Sequence, residues 1–199
     1  MELLAEAGVP EAARTSIATW LDLVRTWNAR IDLTAAKGER ELVDLMVADA
    51  LVLAGKIAEG ARVVDIGSGA GAPGFALALL RPDLKVTLVE PLTKRVSFLR
   101  TAIGTLARTD VELVRGKSDD IAKARGRTFD VAMSRATLPP REWLPAGLAL
   151  APIVWTLLGR DEPPVSTSAT MDEDFTYAWP LGGAARRAVR HVLQDTTSR

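Results

Sequence analysis

Residues 63–74 read VVDIGSGAGAPG, the most distinctive local pattern in the sequence. Its first half is a short run of apolar residues and one acid, typical of a buried strand, and its second half places glycine at every second position before a proline. In open α/β sheets, ligands bind where a strand passes into the following helix. Glycines at that point let backbone N–H groups approach a ligand, and the amino terminus of the helix favours negative or acceptor groups. The stretch therefore predicts a ligand-binding loop.

Short apolar segments of the strand type recur after this loop and alternate with stretches that suit helices. The strand-type segments read RVVDIG, KVTLVE, VELVR, FDVAMS and PIVWTLL, and the helix-type stretches lie at 74–81, 92–108, 118–125 and 140–149. This alternation is typical of βαβ units, so we predict an α/β fold with a mostly parallel sheet and helices on both faces.

The regions on either side of this core have different patterns. Apolar residues recur at helical spacing over 10–29 and 40–57, which predicts two amphipathic helices. The acidic, proline-rich stretch 161–174 predicts an exposed loop before a last pair of strands near FTYAW and RRAVRHVL. We divide the chain into a helical extension, 1–58, that packs on the core, and a Rossmann-like domain, 59–199.

Composition excludes several kinds of site before any further motif is considered. The chain of 199 residues has no cysteine and one histidine, His191, which excludes a disulfide framework, a thiolate metal site and a cysteine nucleophile, and we expect no metal. The amino terminus lacks the basic region of a signal peptide, and no apolar stretch is long enough to cross a bilayer. We therefore expect a cytoplasmic protein.

The formal net charge is zero, but the charge is unevenly distributed along the chain. Residues 80–145 contain 13 Lys or Arg and 8 Asp or Glu, whereas 1–79 contain 7 and 11, and 146–199 contain 5 and 6. A basic middle third is compatible with a polyanionic partner on one face, although an ordinary mixed surface would give the same counts.

Two classes of ligand use a glycine loop of this kind. Gly67, Gly69 and Ala72 satisfy the G-x-G-x-x-G/A fingerprint of dinucleotide-binding proteins. Asp65, on the strand before the first glycine, favours S-adenosylmethionine instead, because its carboxylate would attract an α-ammonium group and repel a pyrophosphate. Glu90 ends the second strand, where a carboxylate can accept both ribose hydroxyls of either ligand. A tight turn without a ligand is the third interpretation.

Three segments carry a resemblance to a known family. The segment 63–100, VVDIGSGAGAPGFALALLRPDLKVTLVEPLTKRVSFLR, follows WNARIDLT and precedes FDVAMSRA. Its glycine loop, the KRVSFL run at 94–99, and Ser134-Arg135-Ala136 are the most specific parts. Over roughly residues 15–140 the chain resembles the glucose-inhibited division protein B family, the bacterial 16S ribosomal RNA (rRNA) guanine-N7 methyltransferases.

This resemblance implies a class I S-adenosylmethionine-dependent methyltransferase fold and methylation of guanine N7 in 16S rRNA. The implied cofactor is S-adenosylmethionine, the implied partner is 16S rRNA or the small ribosomal subunit, and we expect a monomer. Arg135 would be catalytic, at the mouth where cofactor and substrate meet. The cofactor-binding candidates are Asp65, Gly67, Gly69, Gly71, Ala72, Glu90, Ser118, Asp119 and Arg135, with Ser118 and Asp119 at the adenine. The RNA-binding candidates are Lys94, Arg95, Arg100 and Arg141.

The chain departs from the family pattern at polar positions outside the cofactor loop, so it is a diverged member. The departures are Leu45 and Met46, where an arginine and a histidine are usual, Ala50 in place of serine, and Leu158 in place of lysine. Asp49 is kept. Two alternatives follow. One is a relative that binds S-adenosylmethionine but acts on another substrate, or binds the ribosome without turnover; the other is a nicotinamide-dependent oxidoreductase.

Methylation at guanine N7 needs few catalytic side chains. N7 carries an in-plane lone pair and need not lose a proton before it attacks a sulfonium methyl group, so no general base is required. The protein has chiefly to align donor and acceptor and to exclude water. This chemistry suits a chain with no cysteine and one histidine.

Overall fold

The computed structural model describes residues 1–194, which contain seven helices and seven strands. The helices are α1 (Glu2–Glu6), α2 (Glu11–Asn28), α3 (Glu39–Ala54), α4 (Gly74–Leu80), α5 (Thr93–Thr105), α6 (Ser118–Arg125) and α7 (Pro140–Leu148). The strands are β1 (Arg62–Ile66), β2 (Lys85–Glu90), β3 (Glu112–Arg115), β4 (Val131–Arg135), β5 (Ile153–Leu158), β6 (Ala169–Ala178) and β7 (Ala185–Leu193). Within these residues, no helix is both long and apolar enough to cross a membrane, and no three acidic or histidine side chains are grouped as a metal site would require.

All seven strands form one sheet, in the order β3-β2-β1-β4-β5-β7-β6. The first five strands pair in parallel, and β7 lies antiparallel between β5 and β6. From β1 the chain builds outward to β3 and then crosses back to place β4 on the other side of β1. The strand order therefore reverses between β1 and β4, which is the point where open α/β sheets bind ligands. The predicted mostly parallel α/β fold is confirmed.

Burial on both faces explains why the central strands read as nearly continuous apolar runs. Val63 packs in a large cluster with residues of α1 to α5, whereas its neighbour Val64 packs in a smaller cluster with residues of α6 and α7. Helices of the 1–58 segment thus share the larger core with β1. The division between 1–58 and 59–199 stays a prediction, and the last five residues of the second segment lie outside the described residues.

The predicted exposed loop at 161–174 is wrong in its second half, because β6 begins at Ala169. Its acidic residues lie on the edge strand of the sheet, where both faces of the strand are accessible to water. Asp174 forms an ion pair with Arg187 of β7 at 2.6 Å, and Asp172 forms one with Arg190 at 2.7 Å. Cross-strand pairs therefore replace the apolar alternation that would identify a strand.

Candidate cofactor and substrate site

A cavity of about 520 Å³ lies at the carboxyl edge of the sheet, where β1, β2 and β4 end. Its lining comes from the glycine loop, residues 90–92, Arg95, residues 135–137, residues 33–35, and Leu45 and Met46 of α3. The amino-terminal helices and the sheet therefore both contribute to it. Its volume lies in the range of cavities that hold a cofactor or another small molecule.

The glycine loop requires glycine for reasons visible in its backbone. Gly67, Gly69 and Gly71 have φ values of +73°, +56° and +100°, in a region that side chains disfavour. A Cβ on Gly67 would lie 2.1 Å from the hydroxyl oxygen of Thr137, and a Cβ on Gly71 would lie 2.8 Å from Cβ of Phe75. Backbone conformation thus accounts for all three glycines, and close packing is a second reason at Gly67 and Gly71.

Helix α2 supports the loop from behind. The indole N–H of Trp20 donates to the carbonyl of Ala70 at 3.1 Å, and its ring meets Phe75 edge to face at 5.7 Å between centroids. Trp20 is fully buried. The apolar face of the first predicted helix therefore holds one peptide of the ligand-binding loop in place.

Asp65 lies beneath the loop and is not part of the cavity lining. One carboxylate oxygen accepts the backbone N–H of Gly74 at 3.0 Å, and the other, Oδ1, has no hydrogen-bond partner among the described residues. Burial raises the pKa of Asp65 to about 7, outweighing the hydrogen bond from Gly74, which lowers it. Its predicted attraction for an α-ammonium group stays a prediction, and the contact that the structure shows fixes the start of α4.

Glu90, by contrast, lies in the cavity lining at the end of β2. One carboxylate oxygen accepts the N–H of Gly69 and the other accepts the N–H of Leu92, each at 2.9 Å. These bonds join β2 to the glycine loop and fix the orientation of the carboxylate. Since an ionised carboxylate offers about four acceptor sites, capacity remains for hydroxyl donors of a ligand.

Arg135, the last residue of β4, lies in the cavity lining and is held by a buried carboxylate. Its Nη1 donates to Oδ2 of Asp49 at 2.9 Å and to the carbonyl of Leu45 at 2.5 Å. The hydroxyl of Tyr177 donates to the other oxygen of Asp49 at 2.5 Å. Burial, together with the charge of Asp49, raises the pKa of Tyr177 above its ordinary value. Two distant segments of the chain, α3 and β6, thus fix the guanidinium group at the end of β4.

Of the remaining predicted residues, only Ala72 and Arg95 belong to the cavity lining. Ser118 is buried and Asp119 is exposed at the start of α6, and neither belongs to the lining; Gly71 packs instead against Trp20, Phe75 and Leu99. Of the RNA-binding candidates, Arg95 lines the cavity, whereas Lys94, Arg100 and Arg141 are exposed on α5 and α7. The structure therefore brings Gly67, Gly69, Ala72, Glu90 and Arg135 together around one space.

Some lining residues were not predicted as site residues. Leu45 and Met46 were singled out only as departures from the family pattern, and the structure places both in the lining. Thr34 also lines the cavity, and its signal was the WNARIDLT segment of the resemblance. Thr137 has no such signal; its hydroxyl donates to the carbonyl of Ile66 at 3.1 Å, which places it over Gly67.

Two solved structures share this architecture. The precorrin-6y C5,15-methyltransferase from Geobacter metallireducens matches with a TM-score of 0.56 at 12% identity, over 82% of this chain and 95% of that chain. TrmN from Thermus thermophilus matches with a TM-score of 0.55 at 18% identity, over 77% of this chain and 48% of that chain. At these identities the likeness concerns the fold alone. The sheet order and the cavity at its switch point define a class I S-adenosylmethionine-dependent methyltransferase fold.

Sequence comparison is more specific, because residues 14–145 match the family model described as rRNA small subunit methyltransferase G. Relatives named Ribosomal RNA small subunit methyltransferase G match at 42% identity over 118 residues (Mycobacterium leprae) and 38% over 123 residues (Moorella thermoacetica). The relative from Clostridium botulinum matches at 35% over 122 residues. These alignments cover 59 to 60% of this chain and 48 to 51% of the relatives, so the chain spans about half their length. The chain belongs to the rRNA small subunit methyltransferase G family, as its resemblance predicted.

Proposed function

We propose that this protein uses S-adenosylmethionine to methylate N7 of a guanine in 16S rRNA, in the cytoplasm, on the RNA or the small ribosomal subunit. Membership of the family supports the reaction class. The observation that carries the proposal is the meeting of the glycine loop, the Glu90 carboxylate and the Arg135 guanidinium in one cavity at the switch point of the sheet.

The residues around this cavity suit the proposed cofactor. Gly67, Gly69 and Ala72 would border its methionine part, and Glu90 would accept the ribose hydroxyls with its remaining lone pairs. Asp65 and Gly71, predicted to bind the cofactor, lie outside the lining, and we propose that they also maintain the shape of the loop from below. Ser118 and Asp119, at the start of α6 after β3, would approach the adenine, as predicted. When bound, S-adenosylmethionine supplies an electrophilic methyl group.

The protein's own contribution to the reaction would be positioning. Guanine N7 uses an in-plane lone pair and loses no proton, so no side chain has to act as a general base. Arg135, held by Asp49 and by the carbonyl of Leu45, presents a charged hydrogen-bond donor at the cavity wall. Such a donor binds a phosphate or a base carbonyl and would orient the acceptor toward the cofactor.

The proposed RNA surface lies on the same side of the sheet as the cavity. Helix α5 follows the carboxyl end of β2, and α7 follows that of β4, so Lys94, Arg95 and Arg141 lie near this edge. Arg100 lies about 9 Å further along α5 by helical rise. We propose that these four side chains contact RNA phosphates, because they belong to the helices that follow the carboxyl ends of β2 and β4 and are exposed or half-buried.

Binding of S-adenosylhomocysteine tests the cofactor part of the proposal. Calorimetry should show saturable heat with S-adenosylhomocysteine and none with NAD. Gly69→Val should abolish the heat, because φ at this position is +56° and a side chain would prevent close backbone approach. Gly8→Val is a matched control, since Gly8 has φ of +81° and lies outside the cavity. Heat with NAD alone, or with neither ligand at millimolar concentration, would contradict the proposal.

Methyl incorporation into undermethylated small subunits tests the reaction itself. Because Leu45 and Met46 line the cavity, the alternative of a cofactor-binding relative without turnover on this substrate keeps a specific basis. The comparison is between the wild type and the Leu45→Arg, Met46→His double variant. Strong transfer by the wild type supports the proposal. Transfer only by the double variant, at unchanged S-adenosylhomocysteine affinity, would favour the alternative.

A further inference from the structure

A second cavity, of about 400 Å³, adjoins the first. The two cavities share Leu45, Arg135 and Ala136 in their linings. The second extends to the ends of β5, β6 and β7, which meet here because β6 and β5 run in the same direction and β7 runs opposite to both. Residues 157–160, Tyr177, Trp179 and Arg186 belong to its lining. Most of this wall lies beyond residue 145, where the family match ends.

The lining combines three arginines with two aromatic rings. The guanidinium carbon of Arg186 lies 3.9 Å from the centroid of the Trp179 ring, in a stacked contact. No carboxylate within residues 1–194 lies at ion-pair distance from Arg160 or Arg186, whereas Arg187 and Arg190 on the same strand pair with acidic residues of β6. Nη1 of Arg186 donates to the carbonyl of Ala185 at 2.9 Å, but no carboxylate of the described residues balances the charge of Arg160 or Arg186, so both can bind an anion.

This set of side chains suits a planar base that carries a phosphate. A guanidinium plane stacked on tryptophan offers a further flat, charged surface to a base, and arginine donors match phosphate oxygens in pairs. A cavity of about 400 Å³ has room for a single nucleotide rather than for a longer segment. Asp49 also lines this cavity, but its two carboxylate oxygens already accept hydrogen bonds from Arg135 and Tyr177. Its negative charge is therefore balanced by Arg135 and does not oppose a phosphate.

The position of the cavity adds a second constraint. Methyl transfer requires the acceptor atom to come within roughly 3 to 3.5 Å of the donated carbon, so an acceptor site has to adjoin the cofactor cavity. The second cavity meets this condition through the shared wall at Arg135. Tyr177 reaches that wall through Asp49, which makes it a positioning residue for the Arg135 guanidinium.

We infer that the second cavity receives the acceptor nucleotide, with its base against the Arg186–Trp179 stack and its phosphate at Arg160 and Arg186. This inference rests on the proposed function, since it names the subsite that the proposed reaction needs. It assigns a binding role to the last strand pair, whose residues no part of the family match covers.

The test is a titration of the tryptophan-labelled protein with guanosine 5′-monophosphate, followed by nuclear magnetic resonance in the presence of S-adenosylhomocysteine. The indole signal of Trp179, assigned with Trp179→Phe, should shift in a saturable way. Arg160→Ala and Arg186→Ala should each weaken binding of the nucleotide by about tenfold and leave that of guanosine, which lacks the phosphate, nearly unchanged. Lys85→Ala is the control, because Lys85 is exposed at the amino end of β2, on the opposite edge of the sheet.

Two results would overturn the inference. One is a Trp179 signal that does not move at millimolar nucleotide, and the other is equal affinity in the wild type and both arginine variants. These outcomes differ from failure of the proposed function. If S-adenosylhomocysteine does not bind, the same titration on the protein alone decides the inference. If methyl transfer is intact and both arginine variants keep the wild-type KM for small subunits, the inference fails and the proposed function stands.

Discussion

Replacing Arg135 by alanine would expose the energetic cost of the buried carboxylate at the shared wall. The side chain of Asp49 is 4% exposed, and its two oxygens accept from Arg135 and from Tyr177. The Arg135→Ala variant leaves that charge with the tyrosine hydroxyl alone. Loss of one partner of a buried ion pair costs about 3 to 5 kcal/mol. Because the Arg135 side chain is 25% exposed, we expect the lower end, about 3 kcal/mol.

Substitution of Asp49 by asparagine should then act in opposite directions in two backgrounds. In the wild type, Asp49→Asn removes the ion pair but leaves Arg135 access to water, so it should destabilise by about 1 to 2 kcal/mol. In the Arg135→Ala background, the neutral amide needs no counter-ion. There the same change should recover about 1 to 2 kcal/mol, because an unpaired buried charge is replaced by a polar group that can keep the hydroxyl bond.

Urea unfolding of the four proteins, followed by circular dichroism, gives the complete double-mutant cycle. The expected sign reversal is the decisive result. If Asp49→Asn destabilises the Arg135→Ala protein as much as it destabilises the wild type, then no uncompensated charge is buried at Asp49 and the reasoning is refuted. Calorimetry with S-adenosylhomocysteine on the same samples would show whether the cofactor cavity keeps its affinity when this wall is altered.

Three further predictions concern proton binding and salt. Because burial raises the pKa of Asp65 to about 7, its stabilising contribution is full below about pH 4 and is lost as the pH rises through 7. Relative to Asp65→Asn, the free energy of unfolding of the wild type should fall by up to about 1.4 kcal/mol per pH unit in that interval. Urea unfolding at a series of pH values measures this difference, and the same pH dependence in both proteins would contradict the prediction. Tyr177 is the only tyrosine and its pKa is raised, so phenolate absorbance should appear only when alkaline unfolding begins. A phenolate transition near pH 10 in the folded protein would refute the buried hydrogen bond from Tyr177 to Asp49. Alanine at Lys94, Arg95 and Arg100 together should weaken RNA binding and lower the slope of log affinity against log salt by roughly two to three, whereas an unchanged slope in filter binding would place the RNA elsewhere.

The central sheet could be predicted because its strands are buried on both faces. Mostly apolar runs such as 63–66 and 153–158, alternating with helix-type stretches, are typical of strands buried between two layers of helices. The start of β6 could not be predicted by the same rule. Its residues at 171–174 are largely exposed on the edge of the sheet, and Asp172 and Asp174 form ion pairs with Arg190 and Arg187 of β7 instead of packing in the core.

The candidate site was predictable where it depends on backbone conformation and much less where it depends on contacts between distant segments. The positive φ values of Gly67 and Gly69 leave a direct trace in the sequence, as glycine. Asp49 contacts Arg135, which is 86 positions away, and Tyr177, which is 128 positions away. No local sequence pattern predicts such a network. Ser118 was expected at the cofactor by analogy, and its place at the start of α6 lies outside the lining.

The hydrogen bond from Trp20 to the carbonyl of Ala70 has a consequence for the kinetics of binding. With this peptide fixed from behind and Gly71 enclosed by packed side chains, the loop loses its conformational entropy when the chain folds rather than when a ligand arrives. A ligand then meets a recognition surface that is already formed, and its affinity is not reduced by an ordering step. Association should accordingly show a single phase whose rate rises linearly with ligand concentration, and the second, concentration-independent phase that marks loop closure should emerge only when the indole donor at position 20 is removed.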